Sequence, residues 1–168
     1  TDGKDPIRIR NGHPLMAPYE SFRTADREIV IAVTNEKTWA SFSALPPCRV
    51  LAEDPRFATQ PMRNEHRAAL VPAVDAILRT RPAAYWLAAF DEAGIPAEPI
   101  NSLDEILAHE QVRRREMLLE VEYPPGSGKR TPIAGMPWRA VAAKRPVRSP
   151  PGLGQHTDEV LSAIRKKG

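Results

Sequence analysis

A single cysteine, Cys48, stands among 168 residues, which excludes an internal disulfide and any metal centre built on paired thiolates. The four histidines, His13, His66, His109 and His156, share no ligand spacing such as His-x-x-x-His, so no metal is expected. Aromatic residues make up 6% of the chain, and no basic tract is interleaved with them. That pattern argues against a stacking surface for single-stranded nucleic acid. A net charge of +3 is too small to argue for nucleic acid as a partner. No apolar run is long enough to span a bilayer and no signal peptide is visible, so the expectation is a soluble, cytoplasmic protein without a membrane partner.

Proline, by contrast, is abundant. Its 18 copies are about twice the usual share and concentrate in residues 46–61 and 124–151. Such stretches predict extended connections between packed elements. Hydrophobic content of 42% and charged content of 27% are ordinary for a globular protein, and a length of 168 residues fits one domain, or one small domain plus an appendage. Arg113-Arg114-Arg115 is the densest charge cluster and reads as a solvated helix end. Cys48 sits beside Arg49, which would lower its pKa; the plainer reading is a half-buried loop cysteine.

The pattern predicts a hairpin with strands over 19–25 and 28–34 and Asp26-Arg27 at the turn. The second strand is apolar through its middle, as if covered on both faces. Thr34 or Asn35 caps a short helix presenting Trp39, Phe42 and Leu45, which Pro46-Pro47 ends. Asp54-Pro55-Arg56-Phe57 is a turn with an ion pair and a buried ring. A longer helix over 62–79 carries Ala69, Leu70, Ala73, Val74, Ile77 and Leu78 on one face, with a kink at Pro72. The next is capped by Thr80, presents Tyr85, Trp86, Ala89 and Phe90, and stops at Gly94. Ser102 to Glu105 is a capping box opening a helix with Leu103, Ile106 and Leu107 inward. A strand follows over 117–123. A last helix is capped by Thr157, with Asp158 and Glu159 at its start and Arg165, Lys166 and Lys167 at its end. The fold class is α+β: a hairpin or small sheet packed by helices, then a Pro-rich extended tail and a C-terminal helix.

Gly126-Ser127-Gly128-Lys129-Arg130-Thr131 invites comparison with phosphate loops. Lys129 is followed by Arg, the four-residue spacer is missing, and Pro132 stands where a helix should begin. A hairpin or surface loop is the better reading.

Six stretches taken in order carry a family resemblance. They are Arg10-Asn11-Gly12-His13-Pro14 with Ala17-Pro18-Tyr19; Phe22-x-Thr24-x-Asp26; and Ile31-Ala32-Val33. Next come Glu53-Asp54-Pro55-Arg56-Phe57 with Arg63, then Gly94-Ile95-Pro96-x-x-Pro99-Ile100. The last is Gly152-Leu153-Gly154-Gln155-His156-Thr157-x-Glu159-Val160-Leu161. Together they resemble the class III CoA-transferases, or CaiB/BaiF family, which includes transferases and α-methylacyl-CoA racemases. One departure is Asp26-Arg27, where the family has Asp-Gly at the hairpin turn.

The resemblance implies a large Rossmann-like domain that binds CoA, a smaller α+β domain, and two subunits interlocked as a homodimer. It implies CoA as carrier, acyl-CoA and carboxylates as substrates, and a nucleophilic aspartate in the large domain. It covers the C-terminal portion only. Residues 1–18 would be the linker from a missing N-terminal CoA-binding domain, 19–123 the small α+β domain, and 124–168 a C-terminal return segment. The expected function is transfer of CoA between an acyl-CoA and a free carboxylic acid. The alternatives are an α-methylacyl-CoA racemase, or a non-catalytic interaction or dimerisation module, since the isolated chain would lack the nucleophile.

Two places could touch chemistry. The resemblance implies that Asn11, Gly12 and His13 align roughly with a glycine-rich loop that covers the active site in one branch of the family, the formyl-CoA transferases. There Gly12 permits close backbone approach and His13 offers a hydrogen bond to a carboxylate; the other reading is a linker turn fixed by Pro14. Glu36 corresponds to a glutamate used in α-proton transfer by the racemases; the other reading is a carboxylate complementing a helix N-terminus. Residues contacting the cofactor are unassigned at this stage.

Overall fold

A computed structural model describes residues 8–135 and 148–165. The chain forms two compact units, Thr1–Ile100 and Asn101–Gly168. Both mix helices with small antiparallel sheets, an α+β architecture.

In the first unit, strand β1 (Tyr19–Arg23) pairs antiparallel with β2 (Glu28–Ala32), which also pairs with β3 (Ala97–Pro99). Tyr19 lies opposite Ala32 and Phe22 opposite Ile29. Opposed residues share a face, so Glu20 and Phe22 lie on the same side as Ile31 and Ile29. That face is covered: Phe22, Ile29 and Ile31 are buried. Val30 and Ala32 are only half-buried, so β2 is fully covered on one face rather than two. β1 is shorter than the sequence pattern suggested because residues 24–27 close the turn, and β2 ends at Ala32 rather than Thr34. Thr24 Oγ1 donates to the Arg27 carbonyl at 2.7 Å, and the Arg27 amide donates back to that hydroxyl.

Helix α1 (Glu36–Ala44) opens with a full capping box: Asn35 Oδ1 accepts from the Thr38 amide, and Thr38 Oγ1 accepts from the Asn35 amide. Trp39 and Phe42 are buried, and Pro46 and Pro47 begin a 3₁₀ turn that leads into the short α2 (Arg49–Ala52). The expected helix over 62–79 is two helices, α3 (Gln60–Glu65) and α4 (Arg67–Leu78), separated at His66. The chain runs helically through Pro72, so the interruption lies six residues before the proline. Pro72 removes only one donor there, while His66 leaves helical geometry at ψ 23°.

Helix α5 (Ala83–Glu92) starts after Pro82, not at Thr80. Its capping acceptor comes from the hairpin turn: Asp26 Oδ1 accepts from the Ala83 amide at 2.8 Å. At its other end Gly94 adopts φ +68°, Gly94 donates to the Asp91 carbonyl and Ile95 to that of Phe90. That is a Schellman closure, with Ile95 and Phe90 both buried. The core joins Trp86, Phe90 and Phe42 ring to ring, and Trp86 Nε1 donates to the Leu78 carbonyl at 2.7 Å. Tyr85 lies outside that core, exposed.

The second unit holds α6 (Leu103–Ala108), α7 (Glu110–Arg114), the hairpin β4 (Leu118–Glu122) and β5 (Arg130–Ala134), and α8 (Thr157–Arg165). The Ser102–Glu105 capping box is formed. Leu103, Ile106 and Leu107 are exposed rather than inward, Leu103 the most of the three. The glycine-rich segment is the β4–β5 connection, where Gly126 and Gly128 both have positive φ. Thr157 is the first residue of α8 rather than the residue before it. Trp138, Lys166, Lys167 and the middle of the second Pro-rich stretch lie outside the described residues.

Candidate functional site

Residues 9–18 run without regular structure toward β1, and the loop is held from outside. Its tightest bend is at 9–12, where Gly12 donates to the Ile9 carbonyl and Arg10 has φ +54°. Four successive carbonyls then find side-chain donors on α3 and α4. Gln60 Nε2 donates to Leu15 O at 3.4 Å and Asn64 Nδ2 to Pro14 O at 3.2 Å. Arg67 Nη2 serves both His13 O and Met16 O. Gln60 and Asn64 stand on α3 and Arg67 at the start of α4, just across the break at His66. No local signal in the sequence singles them out: they read as solvated polar residues, and the hydrophobic pattern draws attention to the apolar face.

Arg67 is itself anchored. Its Nη1 donates to Glu20 Oε1 at 2.7 Å and its Nη2 to Asn64 Oδ1 at 3.0 Å. Glu20 lies on the covered face of β1, its side chain 14% exposed. Burial pushes its carboxyl above the ordinary range, while the charge of Arg67 and its hydrogen bond oppose that shift.

His13 donates its amide to Tyr19 O at 2.9 Å, and its ring stacks on Tyr19 with centroids 5.1 Å apart. The Leu15 amide donates to His13 Nδ1 at 3.2 Å. Nδ1 is therefore the acceptor nitrogen, and the ring proton resides on Nε2. Asn11 Nδ2 donates to Ser21 Oγ on β1. The sequence-predicted trio Asn11, Gly12 and His13 thus lies on one ordered loop.

Glu36 stands elsewhere in the same unit, in the first turn of α1. Its Oε1 accepts from the Gln60 amide at 2.7 Å, capping α3, and its Oε2 accepts from Arg63 Nη2 at 3.0 Å. Arg63 is 1% exposed, donates Nη1 to the Phe57 carbonyl, and lies 4.5 Å over the Trp39 ring. Both carboxylate oxygens are occupied by structural donors.

Cys48 is fully buried, and burial pushes its thiol up to about 12. That reverses the expectation that Arg49 would lower it: the Arg49 side chain is directed to the Ala44 carbonyl. Asp54 and Arg56 form the expected ion pair at 2.7 Å beside buried Phe57. In the second unit His156 Nδ1 lies 3.2 Å from Glu159 Oε2 at the start of α8. Among the described residues no group of three His, Cys, Asp or Glu side chains could hold a metal ion. No described helix is long and apolar enough to cross a membrane.

A fold of this kind, with a clamped glycine-containing loop feeding a small α+β unit, can be compared with known proteins. The model of CoA-transferase family III matches residues 1–157, and the chain belongs to that family. It is 35% identical over 153 residues to an acyl-CoA transferase of Fusarium pseudograminearum, covering 90% of this chain and 34% of that protein. It is 32% identical over 165 residues to a succinate–glutarate CoA-transferase of Agrobacterium fabrum, covering 96% and 40%. The crystal structure of a CaiB/BaiF family protein from Brucella suis matches at TM-score 0.73 and 30% identity, over 97% of this chain and 42% of that one. The chain therefore spans well under half the length of the relatives it matches.

Proposed function

We propose that these residues form the C-terminal part of an acyl-CoA transferase that moves CoA between an acyl-CoA and a free carboxylic acid. The observation that carries this is the family match across residues 1–157, together with the ordered loop that presents His13. The relative from Agrobacterium fabrum is named for succinate and glutarate, which favours short dicarboxylates as the acids exchanged.

In this reading an aspartate in a preceding CoA-binding domain attacks the thioester carbonyl and expels the CoA thiolate. The resulting anhydride survives only where water is kept out. These residues contribute the cover and an N–H donor at His13 Nε2, which suits a carboxylate oxygen. CoA is carrier and substrate, and no metal takes part. The protein acts in the cytoplasm as an interlocked homodimer. The exposed apolar residues of α8, Val160, Leu161 and Ile164, give such an assembly a surface to cover.

The test compares two polypeptides with a panel of acyl-CoA donors and dicarboxylate acceptors. One is the full-length protein that contains this sequence; the other is the 168-residue chain. The full-length protein is expected to form the acceptor thioester and the short chain none. Exchange of an acyl α-proton with solvent without any CoA transfer would sink the proposal in favour of a racemase.

A further inference from the structure

We propose that Arg67 is a positioning residue: it latches the loop at residues 10–16 so that His13 presents Nε2–H to a substrate carboxylate. The inference rests on the reading of that loop as the one facing substrate.

A loop without regular structure must find partners for its backbone groups or leave them to water. Here four consecutive carbonyls, 13 to 16, are all taken by side chains of α3 and the start of α4, and Arg67 alone takes two of them. A guanidinium can do this because its donors lie in a rigid planar fork. Glu20 aims the fork. Its carboxylate lies on the covered face of β1 and fixes Nη1, leaving Nη2 directed at the loop.

The loop also rests directly on this cation. A Cβ built on Gly12 would stand 2.7 Å from Arg67 Nη1, 3.1 Å from Ile9 O and 3.2 Å from Glu20 Oε1. The backbone at Gly12 therefore touches the ion pair that sets the loop's position, and a side chain there would displace it.

His13 depends on the same segment. Its carbonyl is an Arg67 acceptor, and the Leu15 amide two residues later is the donor that leaves the ring proton on Nε2. Shifting residues 13–16 would turn the ring off Tyr19 and release the tautomer together. Arg67 thus acts on substrate through His13 without touching substrate itself.

The experiment uses the full-length protein with Arg67→Gln, Arg67→Lys and Gly12→Ala. It reads hydrogen exchange of the amides in residues 9–18 and the steady-state kinetics of CoA transfer with the acceptor acid varied. Arg67→Gln is expected to speed exchange in that segment about tenfold. The KM for the acceptor should rise about tenfold, with a much smaller change in kcat. Arg67→Lys keeps the charge beside Glu20 but lacks the fork, so it should recover stability without recovering the acceptor KM. Gly12→Ala should reproduce the kinetic change with Arg67 intact. Unchanged exchange in residues 9–18 would overturn the latch. So would faster exchange with an unaltered acceptor KM, or an equal rise in α5, which would mean general loosening. A wild-type protein that transfers no CoA would instead reject the functional reading, and the exchange result would still judge the latch.

Discussion

Replacing Arg63 by Met should cost about 2–5 kcal/mol of stability, and each part of that figure has a structural source. The side chain is 1% exposed, so its hydrogen bonds have no water to fall back on. Losing Nη1 orphans the buried Phe57 carbonyl, a cost of about 1–3 kcal/mol. The guanidinium 4.5 Å over Trp39 contributes about 1–2 kcal/mol, of which a thioether on the ring returns ~0.5 kcal/mol. The ion pair adds little, about 0–1 kcal/mol, because its Glu36 partner is 58% exposed. Methionine fills most of the volume, so no large cavity term is added. Equilibrium urea unfolding followed by tryptophan fluorescence reads the change, since Trp39 lies under the substituted group. Glu36→Gln should cost only about 1 kcal/mol in the same assay, because it weakens the exposed end of the pair. A loss below about 1 kcal/mol for Arg63→Met would refute this account. So would a larger loss for Glu36→Gln, since the buried cation would then not be the centre of the cluster.

Other outcomes follow from single features. Gly94→Ala should cost about 1 kcal/mol from its φ of +68° alone, because nothing lies within 4 Å of the added methyl; thermal unfolding reads it. Cys48 should resist thiol reagents in the folded protein and label only as fast as the first unit opens, since burial holds the thiol up at about 12. Asp26 has its carboxyl lowered from 3.8 by the Ala83 amide and the Thr24 hydroxyl. The folded state then binds that proton more weakly than the unfolded state. Its stabilisation is complete above 3.8 and drains away as the pH falls through the lower folded value, so Asp26→Asn should flatten the acid limb of the stability curve.

The elements that local chemistry specifies were legible in the sequence. Asn35, one of two candidate caps with Thr34, Ser102 with Glu105, and Gly94 each fix a helix end within a few residues, and each does so in the structure. The hairpin was legible from its two runs of β-formers around Asp26-Arg27, although only one face of the second strand is fully covered. The break at His66 was not, since the apolar stripe continues across it and the nearby Pro72 is the more conspicuous residue. The outward face of α6 was not either: an amphipathic pattern shows that a face seeks cover, not that cover is at hand. The loop at 10–16 could be singled out by its glycine and proline. Its latch could not, because the donors come from 45 to 54 residues further along and look like the solvated face of a helix. Glu36 was legible as a helix N-terminal carboxylate, but its bond to the next-but-one helix depends on tertiary folding alone.

The most direct test of the central claim follows oxygen. Transfer through enzyme-bound anhydrides requires a carboxylate oxygen of the acceptor to pass to the enzyme and then to the acid released from the donor. The full-length protein would be given succinyl-CoA and a dicarboxylate acceptor labelled with heavy oxygen, and the products weighed after many turnovers. Transfer through anhydrides places the label in the released succinate, with the acceptor thioester formed in equal amount. Succinate carrying only solvent oxygen, with no acceptor thioester, would mean that the protein hydrolyses or merely binds acyl-CoA, and would contradict the claim.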